Sequence, residues 1–388
     1  MRQFIFLSIV LITLSVASPV IAESTTINQL QDDLLGELND ENVEYYWQMI
    51  TADYGEYLPA LEKTSFRELI KQQDKLSLKS ILISLSKFLL HELILNSQLL
   101  GILLLLTIFS VTLQTLQRAF SESSISQIAY FVIYIGLIYI ALNSFMIAYA
   151  YTKETIDTLS SFMIALIPLI LSLMATVGSI TALAYFHPMT IFLIHTSSVI
   201  VSKVVLPLLL LGALLQIVSS LSKHYRMTHL AQMFRTFSLG ILGALLTIFI
   251  GVMSVQGGVH AAQDGLILKT AKFLTGNLIP VIGQTFTDAA DTVLGASLLL
   301  KNAVGIVGLI IIVLIVIFPA LKLFVIAFIY KLAAATLQPL SDGPVVVSLH
   351  TVSQYMFFIL ACLLTVSLMF FLAIIVLIVS SNVILLFR

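Results

Sequence analysis

Cysteine is nearly missing from this chain: Cys362 stands alone among 388 residues. One thiol closes no internal disulfide and builds no zinc site. Charge is scarce too, at 10% of residues, against roughly 25% in a soluble domain. The signatures of the common nucleotide-binding and hydrolytic enzymes are missing. There is no glycine-rich lysine loop, no His-Glu-x-x-His and no Gly-x-Ser-x-Gly, and His91-Glu92 has no second histidine in place. We therefore expect no enzyme, no cofactor and no metal, and any ATP-driven step would need a separate motor chain. The net charge of −1 gives no sign of a nucleic-acid partner.

Apolar side chains fill the space that charge leaves. They make up 59% of the chain, and the mean hydropathy is +1.06. A soluble fold of this length cannot hide that much apolar surface, whereas a bilayer accepts it. The fold class expected is all-α: a polytopic helical membrane protein with six to eight spans, broken or re-entrant helices, and a small N-terminal extracytoplasmic helical domain.

The charges are divided between two regions. Residues 23–96 carry net −7, and residues 97–388 carry net +5. Ahead of both, Arg2, an apolar stretch from Phe4 to Val16, and Val20-Ile21-Ala22 have the layout of a signal peptide cleaved after Ala22. Three parts follow: signal peptide 1–22, acidic extracytoplasmic domain 23–96, and membrane domain 97–388. In the acidic domain, Tyr45, Tyr46, Trp47, Tyr54 and Tyr57 suggest a small core, with a headgroup belt or docking surface as alternatives. Leu69, Leu76, Ile83 and Leu90 recur every seven residues and predict an amphipathic surface helix over 66–92, opposite Lys71, Lys75 and Lys79. A lipid-facing or partner-facing role is the sharper reading of that helix.

Apolar runs expected to span are Leu99–Leu116, Ile128–Tyr149, Phe162–Phe186, Met189–Leu221, Phe237–Val255, Ala303–Ile329 and Met356–Phe387, with a break at His187-Pro188. Strict alternation from an external N-terminus leaves 222–236 outside. Lys223, Arg226 and Arg235 argue that this loop is cytoplasmic. An odd number of crossings within 162–221 would remove the conflict. Residues 256–302 and 330–355 read as broken or re-entrant backbone, which membrane proteins place against protein or water.

Candidate conduit or gate residues follow from what costs most in lipid. Pro207 leaves the Lys203 carbonyl without its usual donor, Pro319 does the same to Ile315, and Pro168 to Ile164. Lys203 and Lys322 each cost at least about 2.5 kcal/mol inside a span unless they reach water, headgroups or an acid. Asp264, Asp288, Asp291 and Asp342 are the acids considered for them. Asp288 and Asp291 share a helix face, able to bind a cation or to pair with Lys301, and equally able to be a solvated face. Gly240, Ala244, Thr247 and Gly251 form a small-residue stripe suited to close helix packing, with an internal helix the commoner partner.

Several stretches resemble one family in order and spacing. They are Ala141-Leu142-Asn143-Ser144-Phe145, Phe186-His187-Pro188, Ser254-Val255-Gln256-Gly257, Thr270-Ala271-Lys272 and Thr275-Gly276-Asn277. Lys301-Asn302-Ala303-Val304-Gly305, Phe318-Pro319-Ala320-Leu321-Lys322 and Tyr330-Lys331-Leu332-Ala333-Ala334-Ala335 continue the series. The chain resembles the stage III sporulation protein AE family of endospore-forming bacteria. The resemblance implies a multi-pass protein of the mother-cell membrane around the forespore. It implies a place in a secretion-like transenvelope channel complex, required for late forespore gene expression. The partners implied are other membrane proteins of the same operon and a forespore protein across the intermembrane space. A homo-oligomer is compatible with this. The competing readings are an assembly scaffold without its own pathway and a stand-alone secondary transporter. The transporter would be expected to show inverted repeats, and no convincing repeat is found.

Overall fold

The computed structural model describes residues 36, 41–58, 64–71, 78–119, 124–176, 180–221, 227–278, 282–339 and 343–383. The signal-peptide stretch lies outside them. Among the described residues the regular structure is entirely helical. In chain order the helices are α1 (Glu41–Tyr54), α2 (Phe66–Lys71), α3 (Leu78–Leu95), α4 (Ser97–Ala119), α5 (Ser124–Thr176) and α6 (Ile180–Ile200). A π-helical turn (Val201–Val205) leads into α7 (Leu206–Leu221), followed by α8 (Thr228–Leu278), α9 (Ile282–Leu337) and α10 (Pro344–Val383). Five helical stretches are long and apolar enough to cross a membrane, or six if α3 and α4, bent by 41°, count as one broken span.

The N-terminal helices close a small core, as the aromatic cluster suggests. Val43, Trp47 and Ile50 of α1 are buried with Phe66, Leu69 and Ile70 of α2. The Trp47 indole N–H donates to the Thr64 carbonyl. Ser65 and Glu68 form a capping box: Glu68 N–H donates to Ser65 Oγ (3.2 Å) and Ser65 N–H to Glu68 Oε2 (3.1 Å). The predicted amphipathic helix is instead α2 and α3, and its heptad stripe does not face inward. Leu69 is buried, but Ile83 and Leu90 are exposed together with Leu82 and Ile94, while Phe88 and Glu92 turn in. The apolar outer face of α3 favours the lipid-facing or partner-facing reading.

Three of the expected breaks fall elsewhere. Helix α5 runs unbroken through Pro168, and α6 through Pro188. Helix α5 ends at Thr176 and α6 begins at Ile180, so His187-Pro188 lies within α6. Residues 256–302 are mostly helical backbone belonging to α8 and α9, and residues 330–355 form the α9–α10 connection with Pro344 at the first turn of α10. The runs 128–149, 162–186 and 189–221 therefore fall on two helical stretches, α5 and α6–α7, where the candidate spans are Phe131–Thr176 and Pro188–Ser220.

Helix α10 is the hub, packing on α5, α7, α8 and α9. Glycine sets its closest approach to α9. A Cβ on Gly305 would lie 2.5 Å from Ile378 Cδ1, and one on Gly308 would lie 2.5 Å from Leu166 Cδ2 of α5. The close approach brings the fully buried Lys301 to α10, where its Nζ donates to the Ile378 carbonyl at 2.9 Å. Gly305→Val should thus cost about 1–3 kcal/mol through overpacking. Gly240→Ala, which meets nothing within 4 Å, should leave the isolated chain unchanged. Folded fraction after stepwise heating in detergent checks both.

Candidate functional site

The helices are too tall for one bilayer. At about 1.5 Å per residue, α5 (53 residues) is about 80 Å long and α9 (56 residues) about 84 Å. Bilayer hydrocarbon is about 30 Å thick. A polar level midway along the bundle divides this height.

Side-chain pairs fix the vertical register. The Tyr330 hydroxyl donates to Ser144 Oγ (2.9 Å), Lys322 Nζ to Tyr151 Oη (3.0 Å), and Gly308 abuts Leu166, so α5 and α9 run antiparallel. Ser353 Oγ donating to the Ala327 carbonyl (2.9 Å) and Lys301 donating to Ile378 register α9 on α10. Tyr355 contacts Gly212 and donates to the Ala231 carbonyl (3.3 Å), which registers α7 and α8. Counting from these pairs places Lys203, Pro207, Pro319, Lys322, Tyr151, Glu154 and Asp157 within about 9 Å of one depth. Candidates scattered over the sequence therefore fall on one belt. Apolar helix continues about 22 Å or more on either side of it in α5, α6–α7, α9 and α10.

The belt has a buried anchor. Lys322 Nζ sits 4.5 Å from the Tyr151 ring centroid and 3.8 Å from Glu92 Oε1. The Glu92 side chain is 7% exposed and that of Lys322 33%. Asn96 Nδ2 donates to Glu92 Oε2 at 3.0 Å, orienting the carboxylate. Beside the anchor, Tyr54 stacks on Phe318 with centroids 4.1 Å apart and planes 8° from parallel. Phe88 meets the same ring edge-on at 4.9 Å. Burial, with Asp53, Tyr151, Glu92 and Glu154 nearby, pushes the Tyr54 phenol up to about 12, so this stack stays neutral. The N-terminal helices are thus docked on the belt, directly over Phe318-Pro319.

Lys203 lies elsewhere on the belt, on the outer surface. It belongs to the π-helical turn, where the Leu206 N–H reaches back five residues to the Val201 carbonyl. The widened turn accommodates Pro207, which supplies no N–H and would crowd the preceding turn. Lys153, Glu154 and Asp157 are also exposed. Asp288 and Asp291 fall near the start of α9, but their side chains lie outside the described residues. A continuous helix puts the Asp291 backbone about 15 Å along the axis from that of Lys301. The stripe of Gly240, Ala244 and Gly251 points outward, and no described residue lies within 4 Å of a Cβ built on either glycine.

Glu92 is the residue that sequence reasoning missed. Acids were sought within the membrane domain, whereas the partner of Lys322 comes from the acidic region 230 positions earlier. The signal available was its spacing four residues after Phe88, on the face opposite the Leu90 stripe. Glu92→Gln should destabilise the chain, and Lys322→Gln added to it should recover part of the loss. A coupling of about 1 kcal/mol is expected for a pair with one partner a third exposed. A double-mutant thermal-unfolding cycle reads it, and strict additivity would contradict the pairing.

No solved structure matches this fold. Stage III sporulation protein AE of Bacillus subtilis (strain 168) is 47% identical over 357 residues, covering 92% of this chain and 90% of that protein. The sequence pattern of the family described as stage III sporulation protein AE matches residues 62–381. That span contains Glu92 and every belt residue on α5–α9, while α1 precedes it. By extent and identity, this chain belongs to the stage III sporulation protein AE family.

Proposed function

We propose that this chain is an integral membrane component of the mother-cell-to-forespore transenvelope channel complex, with its acidic N-terminal domain outside the cytoplasm. The observation that carries the reading is the belt: a charged level midway along apolar helices, with the N-terminal helices docked on it. A charged belt, tyrosines along its α1–α5 side and an exported domain suit an outer membrane–water interface.

The orientation follows from the helix pairing. Beginning outside, the chain goes in through α4, out through α5, in through α6–α7, out through α8, in through α9 and out through α10. Each of α5, α6–α7, α8, α9 and α10 contains one candidate span, and the bent pair α3–α4 makes the sixth. Residues 222–226, with Lys223 and Arg226, then face the cytoplasm, as the positive-inside rule asks. The conflict disappears because 162–176 prolongs α5 and is not a further crossing. The bilayer would hold the slab between the belt and the basic loops. The other slab, from 158–200, 240–316 and the last turns of α10, would stand in the intermembrane space.

A bracing role is the second reading, and packing favours it. The described interior is filled by Tyr134, Phe145, Phe162, Phe249, Phe318 and Tyr330, each below 2% exposed. A path for solutes would then run beside the chain or between chains. We assign no residue a catalytic role, and energy would come from a separate ATPase.

In a Cys362→Ala background, single cysteines at Thr51, Ser222 and Ser341 should separate the sides. An impermeant thiol reagent on intact cells should label Thr51 and spare the other two. Labelling at Ser222 would overturn the orientation. Lys322→Gln should lower heat-resistant spore yield at normal protein level, and unchanged yield would count against a role of the belt in the complex.

A further inference from the structure

Lys203 is a cation at the belt without an acid. It is exposed, and among the described residues no ion pair reaches it. At about the same depth, on α5, Glu154 and Asp157 are exposed and equally without ion pairs among the described residues. They line an open groove of about 640 Å³ between α1 and α5, together with Tyr45, Met49 and Tyr149. Beyond the groove, Asp53 at the end of α1 and Glu56 in the turn after it are also exposed. Lys153 also lines the groove, yet carboxylates outnumber it. The belt is thus acidic at α1–α5. Around Lys203 the adjoining α8 carries Arg235 and no acid between 228 and 256.

We infer that neighbouring copies of this chain associate belt to belt, Lys203 of one copy entering the α1–α5 groove of the next and pairing with Glu154 and Asp157. Two features select a second copy. The cation and the carboxylates are at matching depth, and rotation about an axis along the membrane normal preserves depth, so one repeated contact satisfies both on every copy. The surface beside Lys203 also permits close approach: Gly240, level with Lys203 on α8, Gly243 and Ala244 are exposed, and Gly240 and Ala244 line an open recess of about 720 Å³. The contact is head-to-tail, and each copy uses two different faces. It rests on the belt geometry and stands whether the complex conducts or braces.

Disulfide trapping tests the pairing. In a Cys362→Ala background, two differently tagged chains are co-expressed, one Lys203→Cys and the other Asp157→Cys. Mild oxidation should give a dimer carrying both tags, and neither chain alone should dimerise. Placing both substitutions on one chain should give a ladder of multimers. A Lys203→Cys chain that dimerises with itself, or the lack of any mixed dimer, overturns the inference. Charge reversal keeps the test independent of thiol geometry. Lys203→Glu should cut spore yield at least tenfold at normal protein level, and Glu154→Lys with Asp157→Lys should restore most of it. Normal topology with no rescue would sink the pairing while leaving the channel reading intact. Altered topology at Ser222 in the unmutated belt would instead remove that reading and leave the mixed dimer as an independent result.

Discussion

A bilayer offers about 30 Å of hydrocarbon, and inside it every backbone polar group must be satisfied by protein. Helices about 80 Å long meet the second condition and exceed the first nearly threefold. Everything distinctive here follows from how the chain divides that surplus. Lys203, Lys322, Glu92, Glu154 and Asp157 share one belt, with long apolar helix above and below. The glycine contacts at Gly305 and Gly308 hold the tall helices close enough to remain one bundle across that level.

The belt also explains how a soluble-looking N-terminal segment remains part of the membrane unit. Its core of Trp47, Ile50 and Phe66 is small, and domains of that size rarely stand alone. Tyr54, Tyr57 and Phe88 extend it onto Phe318, and Glu92 reaches Lys322 beneath. The docking site coincides with Pro319. The proline disturbs the hydrogen-bond ladder of α9 where the Tyr54 and Phe88 rings pack on Phe318. Pro207 follows the same logic at Lys203, where the π-helical turn absorbs the misfit.

Much of this was legible from composition and from costs in lipid. The helical class follows from composition, and the expectation placed on Lys203, Pro207, Pro319 and Lys322 rests on local chemistry. Their common depth was not legible, because it depends on registers set by distant pairs such as Tyr330 with Ser144 and Tyr355 with Ala231. The course of the chain through 162–221 was not legible for a related reason. The sequence reads Pro188 as a terminator, yet α6 runs through it from Ile180 to Ile200. The small-residue stripe of α8 shows a third limit. Spacing reveals a face fit for close packing and does not say whether the partner helix belongs to the same chain.

The central claim is that the belt marks a membrane surface, with a single apolar slab in lipid. Single cysteines carrying an environment-sensitive fluorophore at Ile108 and Val218 on one side of the belt, and at Phe192 and Leu368 on the other, test it in reconstituted vesicles. All four positions are exposed on the isolated chain. Quenchers fixed in the acyl chains should silence Ile108 and Val218 and spare Phe192 and Leu368. Quenching at all four, or only at Phe192 and Leu368, would contradict the account.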